Sequence, residues 1–143
     1  MSGGPHERVS LELETLVGAG LRFRGSSGPH SLLIDSGEGA VAANPVHLLM
    51  LAVGACTGMD VISILRRKRQ AVTRYEIEVN GERRKDHPRA FTHLEVVHKL
   101  RGQGLSRAAA EEAVRLSSEK YCSVSATVAG VAKVTNRVEI VEG

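Results

Sequence analysis

The stretch NPVHLLMLAVGACTGMDVISILRRKR, residues 44–69, decides the fold. It opens on Asn44-Pro45, a capping residue followed by the imino acid preferred at the first helical position. It closes on Arg66-Arg67-Lys68-Arg69, cations suited to a helix C-terminus. Between these ends an apolar run from Val46 to Leu65 carries no charge until Asp60. The run is far longer than an ordinary strand, so it predicts a helix from about Pro45 to Arg69. Its apolar positions go nearly all round, so the helix is expected to be central and buried, covered in part by a second chain.

Toward the N-terminus the period changes from helical to two. Val9, Leu11 and Leu13 alternate with Ser10, Glu12 and Glu14, Leu21 and Phe23 alternate with Arg22 and Arg24, and Ser31 to Asp35 reads as a third strand. Turns are expected at Gly18 to Gly20 and at Gly25 to Pro29. Toward the C-terminus, Tyr75, Ile77 and Val79 mark a strand and Asn80 to Arg89 a polar loop, with a further strand from Phe91 to Leu100. Ser106 caps a helix reaching about Tyr121, and a last strand runs from Ala132 to Val141. The order βββ-α-ββ-α-β predicts an α+β fold in a single domain over residues 1–143.

Composition narrows the function. With no Trp, two Tyr and two Phe in 143 residues, aromatic stacking on nucleic-acid bases has little support. The net charge of +3 is mild beside a clustered basic stripe, so no nucleic-acid partner is expected. Residues Met1 to Arg8 lack the pattern of a signal peptide, and no 18-residue run is read as able to cross a bilayer; a cytoplasmic location without a membrane partner follows as the expectation. Neither CxxC nor HExxH occurs, so no metal site is expected. Gly18-x-Gly20 has Phe23 where a dinucleotide loop needs glycine, and Gly25-Ser-Ser-Gly28 joins two strands, where a nucleic-acid clamp would join helices. His93 and His98 lie five apart on a strand and face opposite sides.

Two cysteines remain, Cys56 inside the long helix and Cys122 at the end of the second. Free thiols are commonly inert core residues. Here each has small neighbours, Gly54-Ala-Cys56-Thr-Gly58 and Cys122-Ser-Val-Ser-Ala, and the two helices are expected to pack together, so a disulfide comes within geometric reach.

Asn44-Pro45-x-x-Leu48-Leu49, then Gly54-Ala-Cys56-Thr-Gly-Met-Asp60-Val, then Glu119-Lys-Tyr-Cys122-Ser-Val-Ser resembles the OsmC/Ohr family of osmotically inducible and organic hydroperoxide resistance proteins. The resemblance implies an OsmC-like domain forming an intertwined homodimer, with antiparallel sheets around long central helices. It also implies a thiol peroxidase acting on small organic hydroperoxides in oxidative or osmotic stress defence. Cys56 would attack and Cys122 resolve, with no bound cofactor and an external dithiol, a lipoyl or other dithiol protein, as reductant. An alternative is an OsmC-like dimer that binds an apolar ligand or senses oxidants with little turnover.

Cys56 lies twelve residues after Asn44, roughly 18 Å along the axis, beyond reach of the helix dipole. Asp60, one turn onward, would raise its thiol pKa, so a cation from another element is needed. The family uses an arginine near the early strands. Arg24 is the candidate here and Arg22 the reserve. Family members carry a glutamate at one of the two positions after the proline, where this chain has Val46 and His47. His47 reads either as a capping or surface residue or as a group reaching a site across the dimer.

Overall fold

A computed structural model describes residues 3–14 and 20–143, in two compact units comprising residues 1–49 and 50–143. Among the described residues six strands and three α-helices make the fold α+β.

In the first unit β1 (Ser10–Leu13), β2 (Phe23–Ser27) and β3 (His30–Ile34) form an antiparallel meander in that order. The register places Leu11, Leu13, Phe23, Leu32 and Ile34 on one face, as the alternation requires. The turn expected over Gly25 to Pro29 is shorter. Ser27 pairs with His30, so Gly25 to Ser27 stay in the strand and Gly28-Pro29 alone turns the chain. A two-residue hairpin needs a positive φ, and Gly28 supplies one at +57°. The turn expected at Gly18 to Gly20 falls partly outside the described residues.

The long helix α1 (Pro45–Arg67) begins where Asn44 Oδ1 accepts the His47 N–H at 2.8 Å. It stops two residues short of the expected Arg69 because that residue takes a left-handed φ of 56°. Gln70 N–H then reaches Leu65 O at 2.9 Å and Arg69 N–H reaches Arg66 O at 3.0 Å, a Schellman closure.

The second unit carries a sheet of β4 (Val72–Arg83), β5 (Phe91–Gly102) and β6 (Lys133–Glu142) in that order. Between β5 and β6 come α2 (Arg107–Leu116), a π-helical turn over Ser117–Tyr121, and α3 (Ser123–Val128). Ser106 caps α2, its Oγ accepting the Ala109 N–H at 3.1 Å. Strands β4 and β5 are antiparallel, but β6 runs parallel to β5, which corrects an all-antiparallel sheet. The helical crossover carries the chain back before β6 begins, so β6 must run as β5 does. A second correction is α3, which the expected element order lacked.

The core has two parts. Val61, Ile64 and Leu65 of α1 pack with Leu100 of β5 and Ala110, Ala113 and Val114 of α2. Val53 of α1 packs with Leu94 and Val96 of β5, beside Val124 and Val128 of α3. Glycines let α1 approach β4 closely: a β-carbon at Gly58 would fall 2.4 Å from Ile77 Cδ1, and one at Gly54 2.9 Å from Val79 Cγ2.

Within the second unit the described residues do not bury α1 on all sides. The sheet and the other helices cover a single side of the α1 segment in this unit, and Leu51 and Met59 stay 61% and 69% exposed. By length and composition α1 could also cross a bilayer, with a mean hydropathy of 2.0 over its most apolar 18-residue window, against the expectation that no such run exists. Asp60 alone does not interrupt it.

Candidate functional site

Cys56 is half-buried midway along α1, and Cys122 is buried at the junction between the π-turn and α3. Both are free thiols. Cys122 ends the π-turn that continues α2, as expected, its N–H reaching Ser117 O at 2.8 Å, and it also starts α3. Its Sγ accepts the Ser125 N–H at 3.3 Å, and its S–H donates to Ser125 Oγ at 3.1 Å, so the thiol caps α3.

The first turn of α3 acts on the other sulfur as well, since the Val124 backbone amide lies close enough to Cys56 to favour its thiolate. The Cys122 side chain lies close enough to Cys56 to act on its thiol. The structure thus brings together the two thiols that lie 66 positions apart in sequence.

The Cys56 thiol lies above its ordinary pKa. Burial contributes most, and the neighbouring Cys122 and the Asp60 carboxylate push the same way, against the Val124 amide, which favours the thiolate. This is the reverse of an activated cysteine.

Asp60 is fixed by a short relay that sequence reasoning missed. Ser117 Oγ donates to Asp60 Oδ2 at 2.8 Å and lies 2.9 Å from Thr57 Oγ1. The single Ser117 hydroxyl proton is committed to the carboxylate, so Thr57 is the donor to Ser117. Ser117 and Thr57 are both buried, and Ser117 opens the π-turn, a distortion often found where a site needs a helical side chain re-aimed. A void of about 160 Å3 lined by Asp60, Ser63, Ile64, Arg67 and Tyr121 adjoins this carboxylate. Thr57 directly follows a cysteine, and that adjacency was the one signal available in the sequence.

A second buried polar group lies on β5. His98 is fully buried, with Nδ1 2.6 Å from Tyr75 Oη and Nε2 2.9 Å from Asn136 Oδ1. The amide oxygen only accepts, so Nε2 carries the proton and Nδ1 receives the Tyr75 hydroxyl, leaving a neutral imidazole. Burial holds the His98 pKa below its usual value, against the pull of Asn136, and burial pushes the Tyr75 phenol up.

A histidine whose folded pKa is depressed takes up its proton more readily in the unfolded chain. Its contribution therefore lowers stability as pH falls through the unfolded value near 6.5 toward the folded one. Urea unfolding between pH 8 and pH 5 is expected to show this loss, at most about 1.4 kcal/mol per pH unit from one group. His98→Gln flattens the slope; an identical slope would refute the assignment. His93, on the opposite face of β5, meets Thr135 Oγ1 at 2.7 Å.

The expected arginines belong to the first unit, and each is engaged there. Arg24 is exposed on β2, its Nε donating to Glu14 Oε2 at 2.9 Å and one terminal nitrogen lying 3.5 Å from Ser31 Oγ. Arg22 Nε lies 3.3 Å from Asp35 Oδ2. Asp35 also accepts the Val41 N–H at 3.1 Å and the Ser36 N–H at 2.8 Å, and those amides, with Arg22, hold its carboxyl below the usual range. His47 is exposed in the first turn of α1, where only its backbone N–H is used by the Asn44 cap.

Residues 36–136 match the family described as OsmC-like protein, a span that takes in α1, both cysteines and most of the second unit. The chain belongs to the OsmC-like family. This OsmC-like chain is 39% identical over 123 residues to Protein YhfA of Escherichia coli strain K12, covering 85% of the chain and 92% of YhfA. A solved structure of a hypothetical protein from Aquifex aeolicus VF5 superposes with a TM-score of 0.85 at 31% identity, over 98% of this chain and 99% of that one. The organic hydroperoxide resistance protein OhrB of Bacillus subtilis superposes with a TM-score of 0.66 over 94% and 98% of the two chains. At 20% identity that likeness is one of fold.

Proposed function

We propose that this OsmC-like chain is a thiol-dependent peroxidase that reduces small organic hydroperoxides in stress defence. The observation that carries the reading is the meeting of Cys56 and Cys122 at the first turn of α3. Cys56 sulfur attacks the terminal peroxide oxygen, the O–O bond breaks, an alcohol leaves, and Cys56 becomes a sulfenic acid. Cys122 then attacks that sulfur and displaces water, giving a Cys56–Cys122 disulfide. An external dithiol, a lipoyl or other dithiol protein, returns both thiols. No bound cofactor is needed.

The same reading takes the protein as a cytoplasmic homodimer. The exposed apolar side chains Leu51 and Met59 on α1 support a second copy as their cover. Arg24, with Arg22 as reserve and His47 of a second copy as helper, remains the candidate for lowering the Cys56 pKa.

One equivalent of cumene hydroperoxide is expected to remove two titratable thiols per chain and release one equivalent of alcohol. Retention of both thiols refutes the reading. The raised Cys56 thiol favours a second one, an OsmC-like dimer that senses oxidants with little turnover. It predicts the same two-thiol loss in a single round but no steady-state consumption with excess dithiol present.

A further inference from the structure

We infer that Asp60 is the proton carrier of the Cys56 reaction, taking the thiol proton and delivering it to the departing alkoxide. The inference rests on the peroxidase reading above. Cys56 and Asp60 stand one turn apart on the same face of α1. Ser117 donates to Oδ2 of Asp60, and the buried Thr57 hydroxyl orders Ser117 in turn, so the carboxylate is held in place through one oxygen. No hydrogen bond occupies Oδ1 among the described residues. A cavity lined by Ser63, Ile64, Arg67 and Tyr121 adjoins that carboxylate, which is therefore not packed in on every side.

The chemistry requires a proton to move twice. A half-buried thiol above its ordinary pKa is protonated at neutral pH, so attack by sulfur must release a proton. An alkoxide is a far stronger base than a thiolate and leaves readily only if it is protonated as the O–O bond breaks. A carboxylate one turn away disfavours a standing thiolate, which argues against a role in making one. The same carboxylate can accept the proton as the S–O bond forms and pass it on.

In that step the sulfur lone pair forms the S–O bond and the O–O electron pair departs on the alkoxide. The thiol proton travels through Asp60 to give ROH, and Asp60 returns to carboxylate. Sulfur is oxidised to sulfenic acid, the peroxide is reduced, and RSH + ROOH balances RSOH + ROH.

The test sets two leaving groups against each other in the full-length chain. Iodide leaves the iodoacetamide carbon without needing a proton as Cys56 forms the S–C bond, whereas the alkoxide of cumene hydroperoxide needs one. Asp60→Asn should raise the rate of iodoacetamide alkylation at pH 7 several-fold, because the opposing charge is gone, and lower the rate of cumene hydroperoxide oxidation by about 100-fold. Peracetic acid, which expels acetate, should oxidise the variant at close to the wild-type rate. Rates that rise together, or that all stay unchanged, overturn the inference.

If the variant is unfolded by circular dichroism, the wild type decides. A solvent deuterium isotope effect on oxidation by cumene hydroperoxide that is absent with peracetic acid supports the carrier, and equal effects overturn it. A wild-type chain whose thiols resist cumene hydroperoxide fails the peroxidase reading itself, an outcome distinct from either result.

Discussion

The Cys56→Ser protein is expected to leave cumene hydroperoxide untouched, a complete loss, while Cys122→Ser consumes one equivalent per chain and stops. A serine hydroxyl at position 56 has no sulfur to oxidise, so the first step vanishes. At position 122 only the capture of the sulfenic acid is lost, and dimedone should label Cys56 in that variant. The second substitution is structurally mild, because serine is itself a good helix N-cap and can accept the Ser125 N–H that Cys122 Sγ accepts. Equal single-round oxidation in the two variants would show that attack and resolution are wrongly assigned.

Gly102→Ala is expected to unfold the chain more readily, by about 3 kcal/mol, lowering the melting temperature by roughly 10 °C. Gly102 ends β5 between Val72 and Glu142, and a β-carbon there would lie 2.2 Å from the Ala71 carbonyl oxygen and 3.1 Å from Leu105. The Leu105 side chain can turn away, but the carbonyl belongs to the backbone entering β4. Gly104, two residues on, has open space and a φ of +64°, so Gly104→Ala meets only the left-handed penalty of about 1 kcal/mol. Thermal unfolding of both variants checks the contrast, and equal melting temperatures would refute the steric account.

Much of the fold was legible because its signals are local. Asn44-Pro45 and Ser106 announce helices by chemistry that acts within three residues, and alternation marks the strands. The direction of β6 was not legible, since alternation is the same read either way, and only the return of the chain through α2 and α3 sets it parallel. Helix α3 escaped notice because it has six residues, three of them β-branched valines or threonine, and begins on a sulfur cap.

At the site, the cysteines and Asp60 were visible as residue types at a spacing. The bond from Thr57 to Ser117 spans 60 positions and depends on how two helices pack, which no local pattern carries. His98 was hidden differently: it shares the inward register of Leu94, Val96 and Leu100, where an imidazole needs the distant Tyr75 and Asn136 to be tolerated.

The 66 positions between Cys56 and Cys122 also matter to the chain when it is not folded. Joining such distant points shrinks the set of conformations open to the unfolded polypeptide, by about 4 kcal/mol on a chain-entropy basis. Each turn of the proposed cycle would therefore tighten and then release a long loop. The oxidised protein would resist heat and proteases at the moment it is chemically spent, and reduction would restore both its reactivity and its fragility.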